Sequence, residues 1–219
     1  MSEFEGKVLV VTGGGAGIGR AAALLFAREG VRVAALDINE PSAQETVRLI
    51  EQGGGEALAF GVDISDAQGV AAAIAETAKR FGRIDVLFAN AAAQISKACA
   101  ETTEEEWERV HDVNLKGTFL CCKEVIPIMQ KQRSGCIVIT SSGHAFNTYP
   151  NCSAYAATKA GLVGFTRALA IDYAADGIRV NCLVPGATET PMLRNYINSS
   201  PDPSAEEQRI LAKIPMGRF

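Results

Sequence analysis

Short uninterrupted apolar runs alternate along this chain with longer stretches whose apolar residues recur every three to four positions. The runs Lys7–Thr12, Val31–Asp37, Ala57–Val62, Val86–Asn90, Cys136–Ser141 and Ile178–Leu183 predict strands buried on both faces. Helical periods fall near 18–29, 41–52, 66–80, 103–131 and 153–174. At the head of the fourth, Thr103 and Glu106 predict a capping box that meets first-turn amides, so the acidic run Glu104–Glu106 needs no functional reading. Strand–helix alternation with right-handed crossovers predicts one α/β domain over residues 1–219, a doubly wound parallel sheet with helices on both faces. Trp107 is expected to pack its helix against the sheet. The stretch Asn198–Ala205, with Pro201 and Pro203, is expected to be mobile, part of a substrate segment near 190–213 that closes over bound substrate.

Composition narrows the partners. A 47% hydrophobic, 21% charged chain with net charge −4 argues against a general nucleic-acid or anionic-membrane binder. No signal peptide opens the sequence and no apolar run reaches membrane-span length, so a soluble cytoplasmic protein is expected. Six cysteines without a C-x-x-C pair and two histidines are poor material for a zinc site or a disulfide framework, and no metal is expected. Cys136 and Cys182 lie in strand-like runs and are expected to be small buried side chains.

Two features carry candidate chemistry. Thr12-Gly13-Gly14-Gly15-Ala16-Gly17-Ile18-Gly19 follows the first strand and opens the first helix. Glycines there let the backbone approach a pyrophosphate, and the helix N-terminus offers free N–H groups to that anion; the bland alternative is a tight turn that needs glycine for its backbone angles alone. Asp37 ends the second strand, where a carboxylate accepts hydrogen bonds from adenosine ribose hydroxyls and repels the extra phosphate of NADP. With no Lys or Arg in the turn, and Ile38-Asn39 adding no cation, NAD is the expected cofactor. The second feature is Tyr155 and Lys159, four apart in a helical stretch and so on one face. An ammonium near a phenol favours phenolate and is expected to pull the tyrosine pKa down towards working pH. Alone, a Y-x-x-x-K pair is weak, since a surface helix pair reads the same.

The surrounding residues resemble the short-chain dehydrogenase/reductase family, from the first strand to the last residue. Thr12-Gly13, Gly15 and Gly17-Ile18-Gly19 look like its cofactor turn; Asp63-Ile64 matches the acidic position that contacts adenine. Asn90-Ala91 falls where the family carries N-N-A-G, with Ala89 and Ala92 as departures that imply altered local hydrogen bonding. Asn114, Ser142, Tyr155 and Lys159 match the catalytic set, and Pro185-Gly186 with Thr188 and Thr190 resembles the turn at the nicotinamide. The resemblance implies a Rossmann-type fold and an NAD-dependent oxidation of a secondary alcohol to a ketone, or the reverse. Tyr155 would be the acid/base, Ser142 the oxygen's hydrogen-bond partner, Lys159 the holder of the nicotinamide ribose, and Asn114 the link to solvent through a relay water. It also implies a homodimer or homotetramer, and a further helix and strand beyond Phe219 without which Ile178–Leu183 is expected to be an exposed apolar edge.

Candidate substrate walls are Gln94, Ile95, His144, Phe146, Asn151 and Met192, of mixed polarity and suited to a small or cyclic alcohol. Alternatives are a 3-oxoacyl-thioester (acyl-carrier-protein) reductase, whose NADPH-preferring branch carries a basic residue where this chain has Ala16, and a catalytically idle NAD-binding interaction subunit, which would have no need of Tyr155.

Overall fold

The computed structural model describes residues 3–219. The strands β1 (Val8–Thr12), β2 (Arg32–Asp37), β3 (Ala57–Gly61), β4 (Val86–Ala89), β5 (Gly135–Thr140) and β6 (Ile178–Leu183) form one sheet in the order β3-β2-β1-β4-β5-β6. Every pairing is parallel. The helices α1 (Gly17–Arg28), α2 (Glu40–Gln52), α3 (Ala67–Phe81), α4 (Glu104–His111), α5 (Thr118–Gln132), α6 (Ser153–Asp172), α7 (Pro191–Asn198) and α8 (Pro203–Leu211) connect or follow them. Boundaries of the six strands differ from those predicted by no more than one residue. No helix among the described residues is long and apolar enough to cross a membrane.

The strands are apolar on consecutive positions because both faces are covered. Val8 and Val10 point into a core shared with Val70 and Ile74 of α3, Val125 and Met129 of α5, and Leu162 of α6. Leu9 and Val11 point the other way, towards Ala23 of α1 and Ile50 of α2, as the two-residue strand repeat requires. The chain winds outward from β1 in one direction and from β4 in the other, so the loops after these strands diverge. That divergence opens a crevice at the C-terminal ends of the strands, the place where such sheets bind ligands.

The region predicted as one helix over 103–131 is interrupted. α4, opened by the predicted capping box (Glu106 N donates to Thr103 Oγ1, and Thr103 N to Glu106 Oε2), runs through a π-turn at Asp112–Gly117 into α5. One wide turn displaces the following face, and it turns Asn114 fully inward. Gly117 is needed for this, since a Cβ there would lie 2.7 Å from Ile64 Cγ1.

Four further expectations are corrected. Trp107 does not pack on the sheet: it is 39% exposed and stacks on His111 one turn along, centroids 4.2 Å apart, because α4 presents that face to solvent. Cys136 and Cys182 are half-buried rather than buried, since β5 and β6 lie at the less covered end of the sheet. β6 is an edge strand as expected, yet its outward positions Arg179 and Asn181 are polar while Ile178 and Val180 are buried. The segment near 190–213 holds two helices where none was predicted. Thr190 caps α7 ahead of Pro191 and Asp202 caps α8 ahead of Pro203, so these prolines begin helices instead of interrupting structure.

Candidate active site

The glycine turn is built from the ends of β1, β2 and β4. Asp37 Oδ2 accepts from Gly15 N and its Oδ1 from Asn39 N, each at 2.9 Å. A Cβ on Gly15 would stand 2.8 Å from that carboxylate oxygen, so glycine is what lets the turn lie on Asp37. On the β4 side, Asn90 N and Ala91 N both donate to Thr12 Oγ1, at 2.9 and 3.0 Å, and Asn90 Nδ2 donates to the Thr12 carbonyl at 3.1 Å. These bonds clamp the two diverging strands under the crevice. α1 begins at Ala16 with no side-chain cap, which leaves its first-turn amides without a side-chain acceptor and suited to an anion.

A cleft of about 370 Å³ runs from this turn to the start of α6. Gly13, Gly17, Ile18, Asp37 and Asn90 line one end. Ser142, Tyr155 and Lys159 line the middle, faced by Pro185, Gly186, Thr188 and Thr190 from the loop after β6. Gln94, His144 and Met192 lie on the wall as well. Gly15, Gly19, Asp63, Ile64, Ala91 and Asn114 do not line it, and Ile38 is exposed beside Asp37. Of the candidate walls, Ile95, Phe146 and Asn151 are not part of the cleft, and Phe146 is 72% exposed. In their place the wall carries Asn147 and Tyr149, with Tyr196 from α7 and Ile210 from α8. The last two were unreadable from the sequence once their segment was taken as irregular; the Thr-Pro and Asp-Pro pairs were the signal that would have found their helices.

Tyr155 and Lys159 project from the first turns of α6, both buried. Lys159 Nζ donates to the Thr140 carbonyl at 2.7 Å and sits 5.4 Å from the centre of the Tyr155 ring. Ser141 Oγ donates to the Lys159 carbonyl at 2.7 Å, fixing this turn of α6 to the end of β5. The expected lowering of the tyrosine pKa is corrected here. Burial pushes the Tyr155 phenol up, against a downward pull from its hydrogen bond with Ser142. Burial also pushes the Lys159 ammonium down, to about 8. Both groups have left water, and desolvation disfavours each charged form more than their proximity favours it.

Asn114 acts as a clamp. Its Oδ1 accepts from Ala93 N at 2.8 Å, and its Nδ2 donates to the Ala93 carbonyl at 3.0 Å and to Thr158 Oγ1 at 2.9 Å. The π-turn thereby holds the loop after β4 against the residue preceding Lys159. Asp63 is also occupied within the protein: Oδ1 accepts from Ser65 N and Oγ, and Oδ2 from Arg109 Nη1 at 2.8 Å. The cysteines are all free, and no group of metal-ligating side chains occurs among the described residues.

This arrangement can hold an elongated anionic ligand at one end and exchange a proton with an oxygen at the other. Comparison with known proteins agrees in kind. The family model for short chain dehydrogenases matches residues 7–200. An uncharacterized oxidoreductase of Thermotoga maritima is 41% identical over 217 residues, covering 99% of this chain and 85% of its own length. A 3-oxoacyl-acyl-carrier-protein reductase of the same organism is 38% identical over 216 residues, with the same coverage. Among solved structures, an NAD+-bound xylitol dehydrogenase matches with a TM-score of 0.94 at 31% identity, covering 100% of this chain and 88% of that one.

Proposed function

The chain belongs to the short-chain dehydrogenase/reductase family, and we propose that it is an NAD(H)-dependent oxidoreductase interconverting a secondary alcohol and a ketone with Tyr155 as the acid/base. The observation that carries this reading is that one cleft is lined by the Asp37 carboxylate and by Ser142, Tyr155 and Lys159 together.

The residues present fit a dinucleotide. The first-turn amides of α1 suit its pyrophosphate, and Gly13 keeps the cradle open, since a Cβ there would stand 3.0 Å from Ala91 Cα. Asp37 would take the adenosine ribose, Lys159 and Tyr155 the nicotinamide ribose, Thr190 the carboxamide, and Thr188 would stand by the ring. When bound, the nicotinamide supplies the hydride acceptor or donor. The chain's own residues manage the proton and the charge. Ser142 Oγ hydrogen-bonds the substrate oxygen and stabilises charge developing there. Burial keeps the Tyr155 phenol protonated in the free protein, the form that gives a proton to a ketone oxygen; in the oxidative direction the same oxygen takes the hydroxyl proton. Lys159, fixed by the Thr140 carbonyl, sets positive charge beside that oxygen.

NAD is favoured over NADP because Asp37 fronts the site without a cation. The basic residue that follows the glycine turn, Arg20, is tied to α2 through Ser42 O at 3.1 Å and Thr46 Oγ1 at 3.0 Å. Reduction of a 3-oxoacyl thioester is the second reading, supported by the 38% identical reductase. Parallel fluorescence titrations with NADH and NADPH test the choice: tight NADH and weak NADPH binding are expected, and an NADPH preference moves the reductase ahead. Tyr155→Phe is expected to lower kcat by a factor on the order of 10²–10⁴ with NADH affinity little changed. Wild-type turnover in that variant would overturn the proton-transfer role.

A further inference from the structure

His144 stands two residues beyond Ser142, in the tight turn Gly143–Ala145, and lines the cleft beside Tyr155. Its ring is held edge-to-face against Tyr155, centroids 5.6 Å apart, and against Tyr149 at 5.1 Å. Tyr149 is in turn covered by the Lys213 ammonium, 4.0 Å from its ring centre. The imidazole is therefore held between Tyr155 of α6 on one side and Tyr149 on the other.

Its two nitrogens have different surroundings. Nδ1 is 2.9 Å from Thr148 Oγ1, and that hydroxyl directs its own proton at the Tyr149 carbonyl, 3.4 Å away. With its proton on that carbonyl the hydroxyl accepts from the ring, which puts the ring proton on Nδ1, the tautomer the proposal requires. Nε2 is then a lone-pair acceptor. It has no hydrogen-bond partner among the described residues, yet it is not one of the sealed unpartnered atoms, and its residue faces the cleft. Burial pushes the His144 pKa below its ordinary value, so the ring stays neutral at pH 7 and keeps that lone pair.

We propose that His144 sets substrate specificity: Nε2 accepts a hydrogen bond from a second hydroxyl of the substrate, which makes the substrate a diol or polyol with that hydroxyl on a carbon neighbouring the one oxidised. The proposal rests on the alcohol–ketone reading above and narrows it. The acceptor beside Ser142 and Tyr155 calls for an O–H donor. A mono-alcohol leaves Nε2 without a partner, and a ketone or ether oxygen at that position would meet it lone pair to lone pair. Gln94 and Asn147 on the same wall offer amide groups to hydroxyls further along a polyol.

The test compares matched pairs, cyclohexanol with 1,2-cyclohexanediol and 2-butanol with 2,3-butanediol, each with NAD, in the wild type, His144→Phe and His144→Gln. The wild type is expected to favour the diol, and His144→Phe to lower the diol to mono-alcohol ratio of kcat/KM about tenfold, the value of one hydrogen bond, chiefly through KM. His144→Gln, which keeps an acceptor oxygen, is expected to retain part of the preference. An unchanged ratio in His144→Phe overturns the proposal alone. No turnover of any alcohol, with NADH bound, overturns the alcohol–ketone reading and this proposal together. Imidazole ¹⁵N spectra give a readout independent of turnover and are simple to assign with two histidines in the chain. A protonated Nδ1, with an Nε2 signal that moves when 1,2-cyclohexanediol is added to the NADH complex, is expected. A proton on Nε2 would overturn the assignment.

Discussion

Asp37→Ala removes a carboxylate that holds the glycine turn and that the proposed function assigns to the cofactor choice, and the two consequences can be worked separately. In the fold it strips the acceptor from Gly15 N and Asn39 N. Hydrogen bonds to a charged acceptor are among the stronger ones, but this carboxylate is half-exposed, so the pair is worth about 1–2 kcal/mol. For a chain of this size that lowers Tm by about 2–8 °C. In the cofactor site, a phosphate charge roughly 5 Å from the carboxylate is repelled by about 3 kcal/mol at an effective dielectric near 20. Solvent at the cleft end screens part of this, leaving a gain in NADPH affinity of roughly 10- to 100-fold. The two freed amides add donors for the phosphate, and NADH loses its ribose acceptor, so the two affinities move in opposite directions. Fluorescence titration of both nucleotides at low and high salt measures the ratio, and the NADPH gain is expected to shrink with salt. A NADPH to NADH ratio that moves less than about threefold would refute the electrostatic role given to Asp37.

Three other outcomes are expected. Gly19→Ala places a Cβ onto the Gly13 carbonyl oxygen; NADH binding should be lost in titration and Tm should fall, and unchanged binding would mean that the turn is not the pyrophosphate site. Burial pushes Lys159 down to about 8 from an ordinary 10.5, so between these values this group holds fewer protons in the native state than in the unfolded one, and its own contribution to stability rises with pH. The thiols of Cys121 and Cys122, pushed up by burial, contribute with the opposite sign in the upper part of that window, so the measure is a difference: in urea unfolding at successive pH values, the stability of Lys159→Met relative to the wild type should fall as pH rises from 8 to 10.5, and an unchanged difference would contradict the burial argument. Thr103→Ala removes the side-chain half of the α4 capping box and should cost about 1 kcal/mol in urea unfolding, without a change in NADH affinity.

Tyr155 and Lys159 show where sequence reasoning stops. Spacing placed Tyr155 and Lys159 on one helix face, and they are there, because the helical repeat is a local property of the chain. The direction of their pKa shifts depends instead on how much protein covers them. β5 supplies the Thr140 carbonyl to the lysine and the surrounding core excludes water from both. No residue near positions 155–159 encodes that covering. Asn114 is a similar case: its identity is plain in the sequence, but its inward aim comes from a π-turn, and that turn requires the close approach of Ile64 to Gly117 from a distant part of the chain.

The six strands, the helices α1, α2, α3 and α6, the glycine turn with Asp37, and the spacing of Asn114, Ser142, Tyr155 and Lys159 were legible along the chain, because period-two and period-3.6 burial and glycine-dependent turns are written locally. Which side chains meet in the cleft was set by the packing of distant segments. That packing carried Tyr196 and Ile210 in on helices begun by prolines, set His144 against Tyr155 with one nitrogen open, and left Trp107 at the surface. Those outcomes depend on contacts between residues far apart in the chain, where burial and direction are fixed by packing and not by the neighbours in sequence.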